Sequence, residues 1–211
     1  MDQLKKFLAD PYFSGEFRKP LFRDLLLLLV GYFVLVIPIG VILLALSSIM
    51  EISIKTMDVP YHHRLVYGLL LGPLVEEIFF RLLYVFNKRN LLIITFTSLS
   101  LAITFLIKSE WVKAYIFIAL CFAFSLGLFS FTTTSRVISS HFKLFFYGVA
   151  IIFAFLHILN FGGMDSMEHL LTIFMVIPQF VLGILLGYIR LSYGFLYAVV
   201  FHMIVNISII F

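Results

Sequence analysis

A single cysteine, Cys121, stands in the 211 residues, inside an apolar run. No internal disulfide can form, and no cysteine-based metal site can exist. Charge is almost as scarce: Asp, Glu, Lys and Arg make up 12% of the chain, against ~25% in an average soluble protein. There is no long polar region, no internal repeat and no low-complexity linker, so the chain reads as one domain. The H-E-x-x-H pair is also missing, which removes the commonest zinc-peptidase pattern. A cleavable signal peptide is not expected. The first 24 residues are polar and broken by Pro11, Gly15 and Pro20, and the apolar run behind them is too long for an h-region.

What is present is apolar. Hydrophobic residues make up 63%, mean hydropathy is +1.13, and 26 residues are phenylalanine. A soluble core of this size cannot hide that much apolar surface, so the chain is expected to be an integral membrane protein, an all-α bundle of about seven transmembrane helices. Residues 1–24 (Met1 to Asp24) form an N-terminal interfacial segment, and residues 25–211 form the transmembrane domain. The expected spans are Leu25–Met50 with a kink at Pro38, Leu65–Phe86, Leu91–Ile107, Ala114–Thr132, Leu144–Phe161, Leu170–Tyr188 and Tyr193–Phe211. Thr133–Lys143 reads as a polar connection, and Arg190 and Ser192 as a turn.

The net charge of +4 does not indicate nucleic acid, because Lys5, Lys6, Arg18, Lys19 and Arg23 all precede the first apolar run and suit anionic headgroups. With the N-terminus in the cytoplasm, ten Lys and Arg fall on that side and four (Lys55, Arg64, Lys108 and Lys113) on the other. The expected placement is therefore the plasma membrane, N-terminus in, C-terminus out.

Few ionisable residues remain at membrane depth: Glu76, Glu77, Arg81, His157 and His202. Each charge at the centre of a membrane helix costs ~2.5–3.5 kcal/mol, so three in the second span need a reason. Helical spacing sets Glu77 with Arg81 on one face and Glu76 about 100° around; it also groups Phe153, His157 and Asn160, and His202 with Asn206. Isolated in lipid each group would be unsatisfied, whereas three helices facing one another could satisfy them all. A carboxylate beside imidazoles can take a proton from water and create a nucleophile. A His and an Asn one turn apart can donate to an oxyanion. The two glutamates are expected to divide roles, one a structural partner of Arg81 and one a base.

Glu-Glu-Ile-Phe-Phe-Arg (Glu76 to Arg81), Phe-Ala-Phe-Leu-His (Phe153 to His157) and His-Met-Ile-Val-Asn (His202 to Asn206) match E-E-x-x-x-R, F-x-x-x-H and H-x-x-x-N. In that order, on separate apolar helices, they resemble the CAAX-protease and bacteriocin-processing (Abi) family of intramembrane endopeptidases. The resemblance covers about Leu65 to Phe211. It implies that Glu76 activates a water held with the help of His157, and that His202 and Asn206 form an oxyanion hole. It further implies that Glu77 and Arg81 orient the site, with Phe153 packed behind His157. The substrate would be a membrane-associated peptide or protein. No cofactor is favoured, although Glu76, His157 and His202 could supply a zinc set.

Plainer readings stand beside these. Glu77 and Arg81 could be an ion pair stitching helices together, and each histidine could be bonded to a backbone carbonyl. Asn206 could be interhelical glue, with Asn160 evenly balanced, and Phe153 simple packing. At the level of function, buried Glu, Arg and His also mark the relays of proton-coupled transporters. A non-catalytic immunity or scaffold protein could keep the same fold.

Overall fold

Long runs of leucine, isoleucine and phenylalanine in lipid can satisfy their backbone only within helices or closed barrels, and this chain takes the first course. A computed structural model describes residues 2–49, 64–160 and 173–210; all regular structure among these residues is helical. Helices α1 (Asp2–Ala9) and α2 (Phe22–Ile49) are followed by a π-helical segment, Arg64–Leu71, which leads straight into α3 (Gly72–Tyr84). Next come α4 (Lys88–Ile107), α5 (Trp111–Phe129), α6 (Phe131–Ser140) and α7 (Phe142–Leu156). A 3₁₀ turn, His157–Asn160, ends α7, and α8 (Ile177–Ser192) and α9 (Phe195–Ile210) complete the described chain.

All seven expected spans correspond to helical segments. Four are long and apolar enough to cross a membrane on their own: Phe22–Leu46, Lys88–Ile107, Trp111–Phe129 and Ile173–Ser192. A fifth is added if α6 and α7, bent by 94° at His141, form one broken span. The remaining two differ for physical reasons. Residues 64–84 change from π to α geometry and carry three charges, while the apolar part of α9, Phe195–Ile207, is only ~20 Å long at ~1.5 Å per residue. These lengths and compositions are consistent with a membrane protein.

Two connections differ from expectation. The polar stretch Thr133–Lys143 is largely helix α6, because its hydroxyls bond locally and do not compete with the helix: Ser130 with Leu126 O (2.8 Å) and Thr134 (3.1 Å), and Ser140 with Val137 O (3.0 Å). Arg190 and Ser192 lie inside α8. The turn falls one step later, at Gly194, whose φ of +111° suits glycine. The Thr and Ser of α4 bond to their own helix, with Thr95, Thr97, Ser98 and Thr104 each 2.8 Å from the carbonyl four residues back.

Helix α8 is the centre of the bundle, buried almost continuously from Leu182 to Ser192. Gly183 and Gly187, one turn apart, let it approach α7 closely. A Cβ on Gly187 would stand 2.6 Å from Phe146 Cε2 and 3.0 Å from Tyr84 Cε2, and one on Gly183 would stand 3.1 Å from Phe153 Cδ1. The two helices therefore run antiparallel, residue 187 opposite 146 and residue 183 opposite 150 and 153. The N-terminal segment docks on one end of this pair. Phe7 packs edge-on against Phe146 and Tyr188, Tyr147 donates its hydroxyl to Leu8 O, and Arg18 N donates to Ser192 O at 2.8 Å.

Candidate active site

The site begins at the junction of π and α geometry. A Cβ on Gly72 would lie 2.5 Å from the Tyr67 carbonyl oxygen, so glycine is required there, and Pro73 follows in the first turn of α3, where its missing N–H costs nothing. One turn on, α3 presents Glu76 and Glu77 to different neighbours.

Glu77 and Arg81 are both fully buried. Arg81 Nε stands 3.4 Å from Glu77 Oε2, and the guanidinium carbon lies 4.6 Å from the centre of the Phe153 ring and 5.8 Å from that of Tyr84. The cation is thus held by one carboxylate and two aromatic rings. Phe153 does more than pack behind His157 (ring centres 4.8 Å apart), because it also faces this charge. The other oxygen of Glu77, Oε1, is 3.1 Å from His202 Nδ1. One carboxylate therefore ties Arg81 on its own helix to His202 on α9, 125 residues away. Behind this group Tyr84 donates its hydroxyl to Phe146 O at 3.1 Å, and buried Arg190 donates Nε to Arg81 O at 3.1 Å.

Glu76, its side chain about one-third exposed (35%), approaches the other side of the His202 ring. Its Oε2 lies 3.8 Å from His157 Nε2 and 3.8 Å from His202 Nε2. The partners of the other ring nitrogens assign the tautomers. His157 Nδ1 is 2.8 Å from the Phe153 carbonyl oxygen, which can only accept, so Nδ1 carries the proton. His202 Nδ1 faces a carboxylate oxygen and carries its proton for the same reason. In their neutral forms both rings then turn the lone pair of Nε2 toward the same oxygen of Glu76. Three acceptors converge on one point.

The chain thus brings Glu76, Glu77, Arg81, Phe153, His157 and His202 together from α3, α7 with its terminal turn, and α9. Asn206 is one turn beyond His202, and its Nδ2 donates to Gly68 O at 2.8 Å, clamping the π-helical segment to α9. One amide proton of Asn206 is left for other work. The side chain of Asn160 lies outside the described residues, as do His62, His63, Asp165, Glu168 and His169. Among the described residues no group of three His, Cys, Asp or Glu side chains is placed to hold a metal ion. The 3.8 Å from Glu76 Oε2 to each Nε2 is also wider than the ~3.4 Å ligand separation of a tetrahedral zinc site with ~2.1 Å bonds.

Sequence reasoning missed three contributors. The Gly183–Gly187 pair was legible as a small-xxx-small pattern. Tyr84 and Arg190 carry no local signal, because what distinguishes them is contact with residues 62 and 109 positions away. No family model matches the chain, and comparison with curated proteins and with solved structures returns no match.

Proposed function

We propose that this protein is an intramembrane endopeptidase of the CAAX-protease and bacteriocin-processing kind, hydrolysing a peptide bond of a membrane-associated protein or peptide with a water activated by Glu76. The observation that carries the reading is the convergence of Glu76 Oε2 with two imidazole Nε2 atoms, 3.8 Å from each, on a helix where a second carboxylate already neutralises the arginine. A buried ion pair alone needs Glu77 and Arg81. It does not need Glu76, nor two histidines turned toward it.

Acceptors separated by 3.8 Å can share one water at ~2.8 Å from each. Such a water donates one proton to Glu76 and the other to an imidazole, which leaves its oxygen lone pair free for a carbonyl carbon. Glu76 takes the first proton as the C–O bond forms, and the carbonyl oxygen becomes an oxyanion. Asn206 can offer its second amide proton there. As the C–N bond breaks, Glu76 returns its proton to the leaving amine. One water is consumed, and an acid and an amine are released. Glu77 keeps His202 in the tautomer this requires, and Arg81 holds Glu77.

The face that carries the N-terminus, with nine Lys and Arg once buried Arg190 is set aside against four on the other, is assigned to the cytoplasmic side of a plasma membrane. The test compares native membranes incubated with the protein and with its Glu76→Gln form, scoring new peptide termini by mass spectrometry. Termini that appear only with the parent protein are expected; equal cleavage by both refutes the mechanism. Stoichiometric zinc in the purified active protein would overturn its metal-free form.

A further inference from the structure

Among the described residues six buried side-chain atoms have no hydrogen-bond partner: Glu76 Oε2, Glu77 Oε2, the three guanidinium nitrogens of Arg81, and Gln179 Oε1. Five belong to the charge cluster of α3. The sixth is on α8, in a stretch that no motif marks.

Its position follows from the helix register. Gln179 is one turn before Gly183, on the same face of α8. Gly183 lies against Ala150 and Phe153, and Gly187 lies against Phe146, with the helices antiparallel. One further turn along that register sets Gln179 across from residues 154–157, where α7 ends in His157. Side chains on a helix lean toward its N-terminus, and on α8 that direction leads away from the packed glycines toward the His157 end. The register thus directs the orphan oxygen toward the end of α7 that carries His157.

An amide oxygen withdrawn from water without a donor is unfavourable in the free protein, so the missing donor is sought in what the site binds. A carboxamide carries one carbonyl acceptor and an amide donor side by side, the same pair that a peptide group presents. We propose that Gln179 binds the backbone of the substrate beside the scissile bond, Oε1 accepting from a peptide N–H and Nε2 donating to a peptide carbonyl. The ligand class is an extended polypeptide segment, recognised by main chain and not by side chain. Only an unwound segment has free N–H and C=O groups to offer, so Gln179 selects against a substrate that remains helical. This assignment rests on the peptidase reading of Glu76.

The test uses the full-length protein in detergent and a quenched-fluorescent peptide built on the cleavage site found in native membranes. Gln179→Met keeps the length of the side chain and removes both polar atoms, while Gln179→Glu keeps the acceptor and removes the donor. For Gln179→Met, KM is expected to rise about ten- to a hundredfold, the size of two lost hydrogen bonds, with the thermal midpoint unchanged or raised. Gln179→Glu is expected to fall between Met and the parent. A lowered midpoint with unchanged KM would show a structural role and overturn the assignment, as would parental KM in both variants. Glu76→Gln, run alongside, separates the two levels. Full activity there refutes the peptidase mechanism, whereas an inactive Glu76→Gln with parental Gln179 variants refutes only the Gln179 assignment.

Discussion

Removing both members of the Glu77–Arg81 pair should destabilise the protein by clearly less than the two single losses added together. The two side chains have no exposed surface, and they sit 3.4 Å apart between α3, α7 and α9. Arg81→Met leaves the Glu77 carboxylate buried with only His202 Nδ1 as a close donor, and it strips Phe153 of the cation 4.6 Å from its ring. Glu77→Gln leaves a guanidinium with no counter-charge in the same place. Each single substitution should cost ~3–5 kcal/mol, the range for breaking a buried pair from one side. For a chain of this size that is roughly 6–20 °C of thermal midpoint. The double variant, Glu77→Gln with Arg81→Met, buries no charge at either position and should recover ~2–3 kcal/mol of the summed cost. The assay is thermal unfolding in one detergent at one protein concentration, for the four members of the cycle. Additivity to within ~0.5 kcal/mol would mean that the two groups do not interact, and it would refute the pairing that orients His202.

Three further outcomes follow from single contacts. Gly187→Ala should destabilise by ~1–3 kcal/mol through overpacking against the Phe146 and Tyr84 rings, with Gly183→Ala milder because its nearest atom stands 3.1 Å away rather than 2.6 Å; unfolding midpoints that reverse this order would contradict the register of α7 on α8. Asn206→Leu removes the 2.8 Å bond to Gly68 O and should speed amide hydrogen exchange over residues 64–72 while α5 keeps its protection. Glu76→Gln should be inactive yet unfold within about 0.5 kcal/mol of the parent, because its side chain is partly exposed and outside the ion pair. A large loss of stability there would return Glu76 to a structural role.

The polar positions in the spans stood out in sequence because their spacing is local. E-E-x-x-x-R implies, from helical geometry alone, that Glu77 and Arg81 share a face and that Glu76 does not, and the structure has them so. That one carboxylate would pair with Arg81 while the other met different partners was legible for the same reason. The π-helical segment before Gly72 was not legible. Asn206, 138 residues on, bonds to it at Gly68 O, and no window of local sequence contains both partners. Asn206 was read as a donor to substrate with interhelical glue as the plainer alternative, and its first hydrogen bond is of the second kind. Thr133–Lys143 was read as a polar connection and is largely helix α6, whose Ser130 and Ser140 bond to the helix's own or preceding carbonyls.

Composition and periodicity by themselves determined the all-helical class, the approximate spans and the short set of groups too costly to leave facing lipid, since burial and helical repeat are properties of the chain taken a few residues at a time. Only tertiary structure decided which of those groups meet. Rotating α9 by one residue, ~100°, would turn His202 away from both Glu77 and Glu76, and close packing at Gly183 and Gly187 sets how near α7 brings His157. The tautomers of both histidines, the shared oxygen of Glu76 and the unpartnered oxygen of Gln179 are consequences of helix rotation and depth, and these are fixed by side chains far apart in sequence.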